Sequence, residues 1–408
     1  MNDAEWYKDP QRMLCGCEVV HLGCHPQTST NTAYDPELIK FSVGRDLVKT
    51  YDHIFDRYTK KFKFYEVADL LGAAIKETNT IIDKWPYRLN LRPGQPGAQE
   101  EFDRCLSGGT SGKERYVEWK RVHRAYEEIQ PAAAATGLQP HFVSNSRGLK
   151  GFWIGSPSAK YIVIYFHGGG FAMAATAPYL DFWPRIQTTL ANAGIENAWF
   201  HCTYTLTPHA AYPTQFREAV EALRYILEDV GHSPSQVLLV GDSAGANLCL
   251  AVLSHLTHPS EDVPELVINE PIKGVVLMSP WVSFRHHWPS VEASEHRDID
   301  AAEVLTEWSR AYLNGRESNN YIEAVEAPEW WWDNIRVRQT LVLAGGDEAL
   351  LDPIKTWVNS FKKANHDTAL VIGERECHVA PLVWPMFGDY HETQQERALK
   401  HWLLERLN

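Results

Sequence analysis

No stretch of this 408-residue sequence approaches the ~18 consecutive apolar residues that a membrane-spanning helix needs. The opening residues, MNDAEWYKDPQRML, hold acids and a proline where a secretory leader carries a basic start and an apolar run, so no leader is expected. Asn-x-Ser/Thr acceptor sites are also missing. Positive charge is short: 39 Lys and Arg face 52 Asp and Glu, for a net charge of -13. Nucleic acids and anionic membranes are held by basic surface, so neither is an expected partner. Cysteine is sparse, and its seven copies are an odd, scattered set. That usage fits reduced thiols in a cell interior rather than a disulfide framework. The expectation is an acidic cytoplasmic protein whose partner is a small molecule.

What is present divides at about residue 140. Residues 1–140 are poor in strands. Leu47, Tyr51, Ile54, Phe55 and Tyr58 follow a helical period, as do Tyr116, Trp119, Val122, Tyr126 and Ile129. Helices without a sheet must bury their apolar faces on something else, so this region is expected to cap the domain that follows. Near its start, LCGCEVVHLGCH gathers Cys15, Cys17, His21, Cys24 and His25. The spacing matches no common zinc module, and the segment reads as buried thiols with no metal.

Residues 141–408 alternate strands and helices. GFWIG, YIVIYF, AWFHCTY, QVLLVG, GVVLMS, TLVLAGG and ALVIGE are strand candidates, separated by helical stretches such as TQFREAVEALRYILEDVG. This grammar predicts an α/β domain with a mostly parallel, doubly wound sheet and ligands beyond the carboxyl ends of its strands. Residues 285–335 interrupt the alternation with one good helix and many aromatics, and read as a cap insertion.

The chemistry-bearing residues stand at those strand ends. Gly241-Asp242-Ser243-Ala244-Gly245 is a G-x-S-x-G stretch directly after a strand and before an apolar helix. Small residues there permit a sharp strained turn that lifts a serine hydroxyl above the sheet. Serine alone could be a helix cap. As a nucleophile it needs a histidine base and an acid to orient that base, following in the order serine, acid, histidine. Asp347 follows the strand TLVLAGG, with Glu348 and Asp352 as rivals, and His378 follows the last strand. Ser243, Asp347 and His378 are the expected catalytic residues.

His167-Gly168-Gly169-Gly170 ends an earlier strand. A phosphate loop would place a lysine and a hydroxyl after its glycines, and a dinucleotide site would show G-x-G-x-x-G; both are missing. Bare backbone at this point suits N–H groups aimed at a developing alkoxide.

HGGGF, GDSAGA, SPW, GGDEALLDP and the final histidine together resemble the hormone-sensitive-lipase-like branch of the α/β-hydrolases. The resemblance covers about residues 141–405. It implies carboxylic ester hydrolysis without a cofactor, oxyanion donors at Gly169, Gly170 and Ala244, and a bracing role for His167 beside Gly168. Many relatives pair up, which leaves a homodimer open here, and Phe171 and Trp281 are candidates for an aromatic pocket wall. The long form with APEWWWDNI resembles fungal members, several of which act in secondary metabolism. The chain departs from the family where YTLTPHAAYP puts Thr205 and His209 in place of a charged pair. A second departure is one extra residue between Asp347 and Asp352. Two other functions share these residues: an acyl-transferring, lactonising or product-releasing enzyme, and a ligand receptor on a hydrolase fold.

Overall fold

A computed structural model describes residues 141–408 except Thr176, Glu295, His296 and Gly388. The proposed cap at 1–140 and its cysteine cluster lie outside the described residues. Eight strands form one sheet in the order β1-β2-β4-β3-β5-β6-β7-β8. They are β1 (His141–Ser144), β2 (Lys150–Ile154), β3 (Tyr161–Phe166), β4 (Asn197–Cys202), β5 (Val237–Asp242), β6 (Gly274–Met278), β7 (Thr340–Gly345) and β8 (Thr368–Gly373). β1 pairs antiparallel with β2, and β2 with β4; all later pairs are parallel. The seven strand candidates became β2 to β8. β1 was not anticipated: its four residues, HFVS, are half exposed at the sheet edge and carry too little apolar pattern.

Every residue of β3, β4, β5 and β7 is buried, as is every residue of β6. Continuous apolar strands of this kind require helices on both faces of the sheet. Successive side chains of β4 show the two layers. Trp199 meets Trp183 of α1 (Ala177–Asn192), while Phe200 meets Tyr225, which follows α2 (Thr214–Arg224). Beside α2 runs α3 (Ala244–Thr257), whose residues from Ala244 to His255 are all buried. The expected helix TQFREAVEALRYILEDVG is α2 continued by a π-helical turn at Tyr225–Asp229.

Between β6 and β7 the chain forms α4 (Pro289–Ala293), α5 (Ala302–Leu313) and two short 3₁₀ turns, with no strand among the described residues. The domain then adds α6 (Leu351–Ala364), the short α7 (Ala380–Val383) and α8 (Gln394–Leu407). The tryptophan run at 330–332 belongs to the packing. Trp331 stacks on His258 and donates its Nε1–H to Ser254 Oγ, and Trp332 meets Trp357 and Phe361 of α6. Only Trp330 is exposed.

Candidate active site

Ser243 sits between β5 and α3 at φ 51° and ψ −118°, a conformation that few non-glycine residues adopt. The strain is local and tightly determined. A methyl group on Gly245 would overlap the Phe166 carbonyl, and one on Gly241 would overlap the backbone of Gly245. The G-x-S-x-G spacing therefore answers to close packing of one turn against the end of β3. Ser243 N donates to Met278 O at 2.9 Å, and Ser243 O accepts from Trp281 N at 3.2 Å. Although Ser243 is the N-cap residue of α3, its side chain makes no capping bond. The hydroxyl is left for other work.

The glycine loop lies directly against this turn. A methyl group on Gly168 would stand 3.1 Å from Ser243 Cβ. Gly168 N donates to Asp242 Oδ2 at 3.1 Å, and Tyr165 Oη donates to Asp242 Oδ1 at 2.6 Å. Burial pushes the Asp242 carboxyl up to about 7, against the opposing pull of these donors. Asp242 thus ties the end of β5 to the loop after β3, a role the sequence motif did not disclose. Gly169 and Gly170 both have positive φ, at 97° and 58°. A methyl group on Gly170 would overlap the ring of Trp308 on α5. Among the described residues, the N–H groups of Gly169, Gly170 and Ala244 have no hydrogen-bond acceptor. His167 stacks on Tyr204 with centroids 4.4 Å apart and donates from Nδ1 to Gly168 O at 2.7 Å. Tyr204 Oη donates to His167 O at 2.7 Å. These contacts hold the loop from beneath.

His378 is 3% exposed. Its Nδ1 stands 3.5 Å from Asp300 Oδ2 and 3.8 Å from Glu348 Oε2. Burial pulls the imidazole down to about 4, against the nearby Asp298 carboxylate, so the ring is neutral at pH 7. Asp347, the expected acid, is elsewhere. Its carboxylate faces Arg297 at 3.4 Å, and its backbone N–H bonds Glu376 O at 3.0 Å. Asp352 is turned toward α4, accepting from Ser290 N at 2.9 Å. The physical reason is the turn after β7. It carries Glu348 into the interior, where Oε2 accepts from Ser279 Oγ at 2.5 Å and from Gly345 N at 3.0 Å. Glu348 and Asp352 are four residues apart, so counting from Glu348 removes the extra residue noted in the sequence. Burial raises the Glu348 carboxyl well above its usual range.

Phe171 and Trp281 do not face open space; both are fully buried. Phe171 stacks on Tyr312 of α5 at 3.7 Å and on Trp281 at 5.9 Å. They join the glycine loop to the insertion rather than forming an open wall, because the insertion supplies the rings that cover them. The Thr205 departure is compensated locally. Thr205 N and Oγ1 donate to the two oxygens of the Glu218 carboxylate on α2, at 2.5 and 2.6 Å. Cys202, Cys249 and Cys377 are buried cysteines outside any disulfide, and burial raises Cys377 well above its ordinary value.

A protein-family model described as alpha/beta hydrolase fold matches residues 163–382, more than half of the sequence. The chain belongs to the α/β-hydrolase fold family. An acetyl-hydrolase from Streptomyces hygroscopicus is 26% identical over 61% of this chain and 77% of its own length. Steryl acetyl hydrolase 1 of Saccharomyces cerevisiae is 21% identical over 56% of this chain. Human arylacetamide deacetylase-like 2 is 27% identical over 40% of this chain. The chain spans 55% of the yeast relative and 40% of the human one. An esterase from the bacterial hormone-sensitive lipase family aligns over 92% of this chain and 98% of its own, with a TM-score of 0.55 at 19% identity. Carboxyl esterase 2 from the mycorrhizal fungus Tuber melanosporum aligns over 67% of this chain and 88% of its own, with a TM-score of 0.54 at 17% identity. At these identities the two structures bear on the fold. In this α/β-hydrolase, as the sequence pattern predicts, the glycine loop, the serine turn and the histidine all follow parallel strands. Among the described residues, no helix is long and apolar enough to cross a membrane.

Proposed function

We propose that this chain hydrolyses small or medium carboxylic esters through an acyl-enzyme on Ser243. The observation that carries this is the Ser243 turn, strained at φ 51°, uncapped, and set against a glycine loop with undirected N–H groups. His378 Nε2 takes the serine proton as Oγ bonds to the ester carbonyl carbon. The carbonyl oxygen becomes an alkoxide on the N–H groups of Gly169, Gly170 and Ala244, where each donor contributes about 10²–10³ in rate. Collapse breaks the ester C–O bond, and the alcohol leaves with the proton from Nε2. Water then attacks the acyl carbon through the same groups, releasing the acid and returning the proton to Ser243.

Glu348 replaces Asp347 as the acid in this reading, on the strength of its 3.8 Å approach to Nδ1. Neutral His378 at pH 7 suits a base. Relatives named acetyl-hydrolases favour acetyl esters as the first substrates to try. The origin of the ester in secondary metabolism rests on the sequence resemblance alone.

Intact-mass analysis after a fluorophosphonate probe tests the reading, because the probe reports an activated serine without the natural substrate. One adduct on wild type and none on Ser243→Ala is expected, with p-nitrophenyl acetate turned over only by wild type. An unlabelled wild type, or an equally labelled Ser243→Ala, would end it.

A further inference from the structure

Three buried carboxylates surround His378, and two of them come from the insertion between β6 and β7. Asp298 accepts from His378 N through Oδ1 and from Ala349 N through Oδ2, each at 2.7 Å. Asp300, two residues on, has a side chain 8% exposed and places Oδ2 3.5 Å from Nδ1. Glu348 is slightly further away, and its nearer oxygen already serves Ser279 Oγ and Gly345 N. Asp300 Oδ2 and His378 Nδ1 are buried, and neither has a hydrogen-bond partner among the described residues. A buried donor and acceptor left facing one another are costly unless they pair. Asp300 Oδ2 is therefore the less committed acceptor at this nitrogen.

Resting on the esterase reading above, we propose that Asp300 is a second carboxylate partner of His378, sharing Nδ1 with Glu348. The insertion then supplies a positioning residue to the catalytic histidine as well as covering the glycine loop. The proton balance is simple. When Nε2 takes the serine proton, Nδ1 keeps its own, and the resulting imidazolium needs one ionised carboxylate beside it. Three carboxyl groups in one buried cluster resist ionising together. Burial pushes Asp298 and Asp300 up to about 7 and raises the Glu348 carboxyl well above its usual range. With two carboxyl groups at one nitrogen, either can carry the negative charge while the other is protonated. Asp298 ties the histidine loop and the Glu348 loop to the same segment.

The test is the rate of fluorophosphonate labelling at Ser243, with kcat and KM on p-nitrophenyl acetate, for Asp300→Asn, Glu348→Gln and the double variant. Each single variant is expected to slow labelling roughly tenfold, and the double variant by about 10⁴, more than the product of the two. The losses should fall on kcat with KM unchanged, and Asp300→Glu should recover most of the rate, which a merely structural defect would not. If Asp300→Asn does not fold, Asp300→Ser carries the same comparison. Wild-type rates for Asp300→Asn in both backgrounds, or a double variant equal to Glu348→Gln, would overturn the proposal. An unlabelled wild type would instead remove the esterase reading itself.

Discussion

His378 N donates to Asp298 Oδ1 at 2.7 Å, a bond between residues 80 apart in sequence. The same carboxylate takes Ala349 N, so one insertion residue holds the loops after β7 and β8 together. Asp298→Ala would leave two buried N–H groups unpaired. The expected loss is about 2–6 kcal/mol of stability, at roughly 1–3 kcal/mol for each orphaned group. Urea unfolding followed by circular dichroism measures it directly, and turnover should fall with the loosened histidine.

Asp347→Asn should do little. Among the described residues its carboxylate pairs with Arg297, itself largely exposed, at 3.4 Å. Exposed ion pairs contribute about 0–1 kcal/mol. Turnover within about twofold of wild type and a stability change inside ±0.5 kcal/mol are expected. A loss of a hundredfold or more in kcat would return Asp347 to the triad in place of Glu348.

Gly170→Ala places a methyl group into the ring of Trp308 at a residue with φ 58°. The loop must shift to accept it, and the N–H groups shift with it. A fall in kcat of about 10² or more is expected, as for loss of one oxyanion donor. Pairing it with Trp308→Ala checks the cause, since removing the ring should restore part of the rate.

The pH profile follows from His378 and the carboxylates beside it. Its value in the folded protein is about 4, lowered by burial, against about 6.5 for a free imidazole. The neutral form, which accepts the proton, therefore persists well below pH 6. The carboxylate that the imidazolium needs is lost earlier, since burial pushes Asp298 and Asp300 up to about 7. The acid limb of kcat/KM for a neutral ester should therefore have its midpoint at about 7. A midpoint at about 4 would mean that the imidazole alone sets it. The linked stability has a definite sign. Because the folded value is depressed, the unfolded chain gains the proton first as pH falls. This group's stabilisation is complete above about 6.5 and is lost between about 6.5 and 4.

Thr205→Val removes the hydroxyl that donates to the Glu218 carboxylate at 2.6 Å while keeping the side-chain shape. A hydrogen bond to a charged group contributes about 1.5–3 kcal/mol, and a loss in that range should appear in the unfolding midpoint. Little change would mean that the Thr205 hydroxyl contributes nothing beyond the other partners of the carboxylate.

By itself, the sequence determined the parallel sheet, the serine turn and the glycine loop, because each rests on local chemistry. Runs such as YIVIYF and QVLLVG can be satisfied only by burial on both faces, and Gly241 and Gly245 flank Ser243 because the turn has no room for side chains. It also placed His378 correctly after the last strand. The acid was not legible in the same way. Asp347 and Glu348 are adjacent, and a difference of one residue reverses which side chain enters the core. Only the tertiary fold turns Glu348, and not Asp347, toward His378, through the Ser279 hydroxyl and the Gly345 N–H that bind its carboxylate. Asp298 and Asp300 were harder still, since they lie 80 and 78 residues before the histidine they face, in a segment with no strand among the described residues. Local sequence fixes backbone shape; which distant carboxylates meet one imidazole depends on how the insertion packs over the sheet.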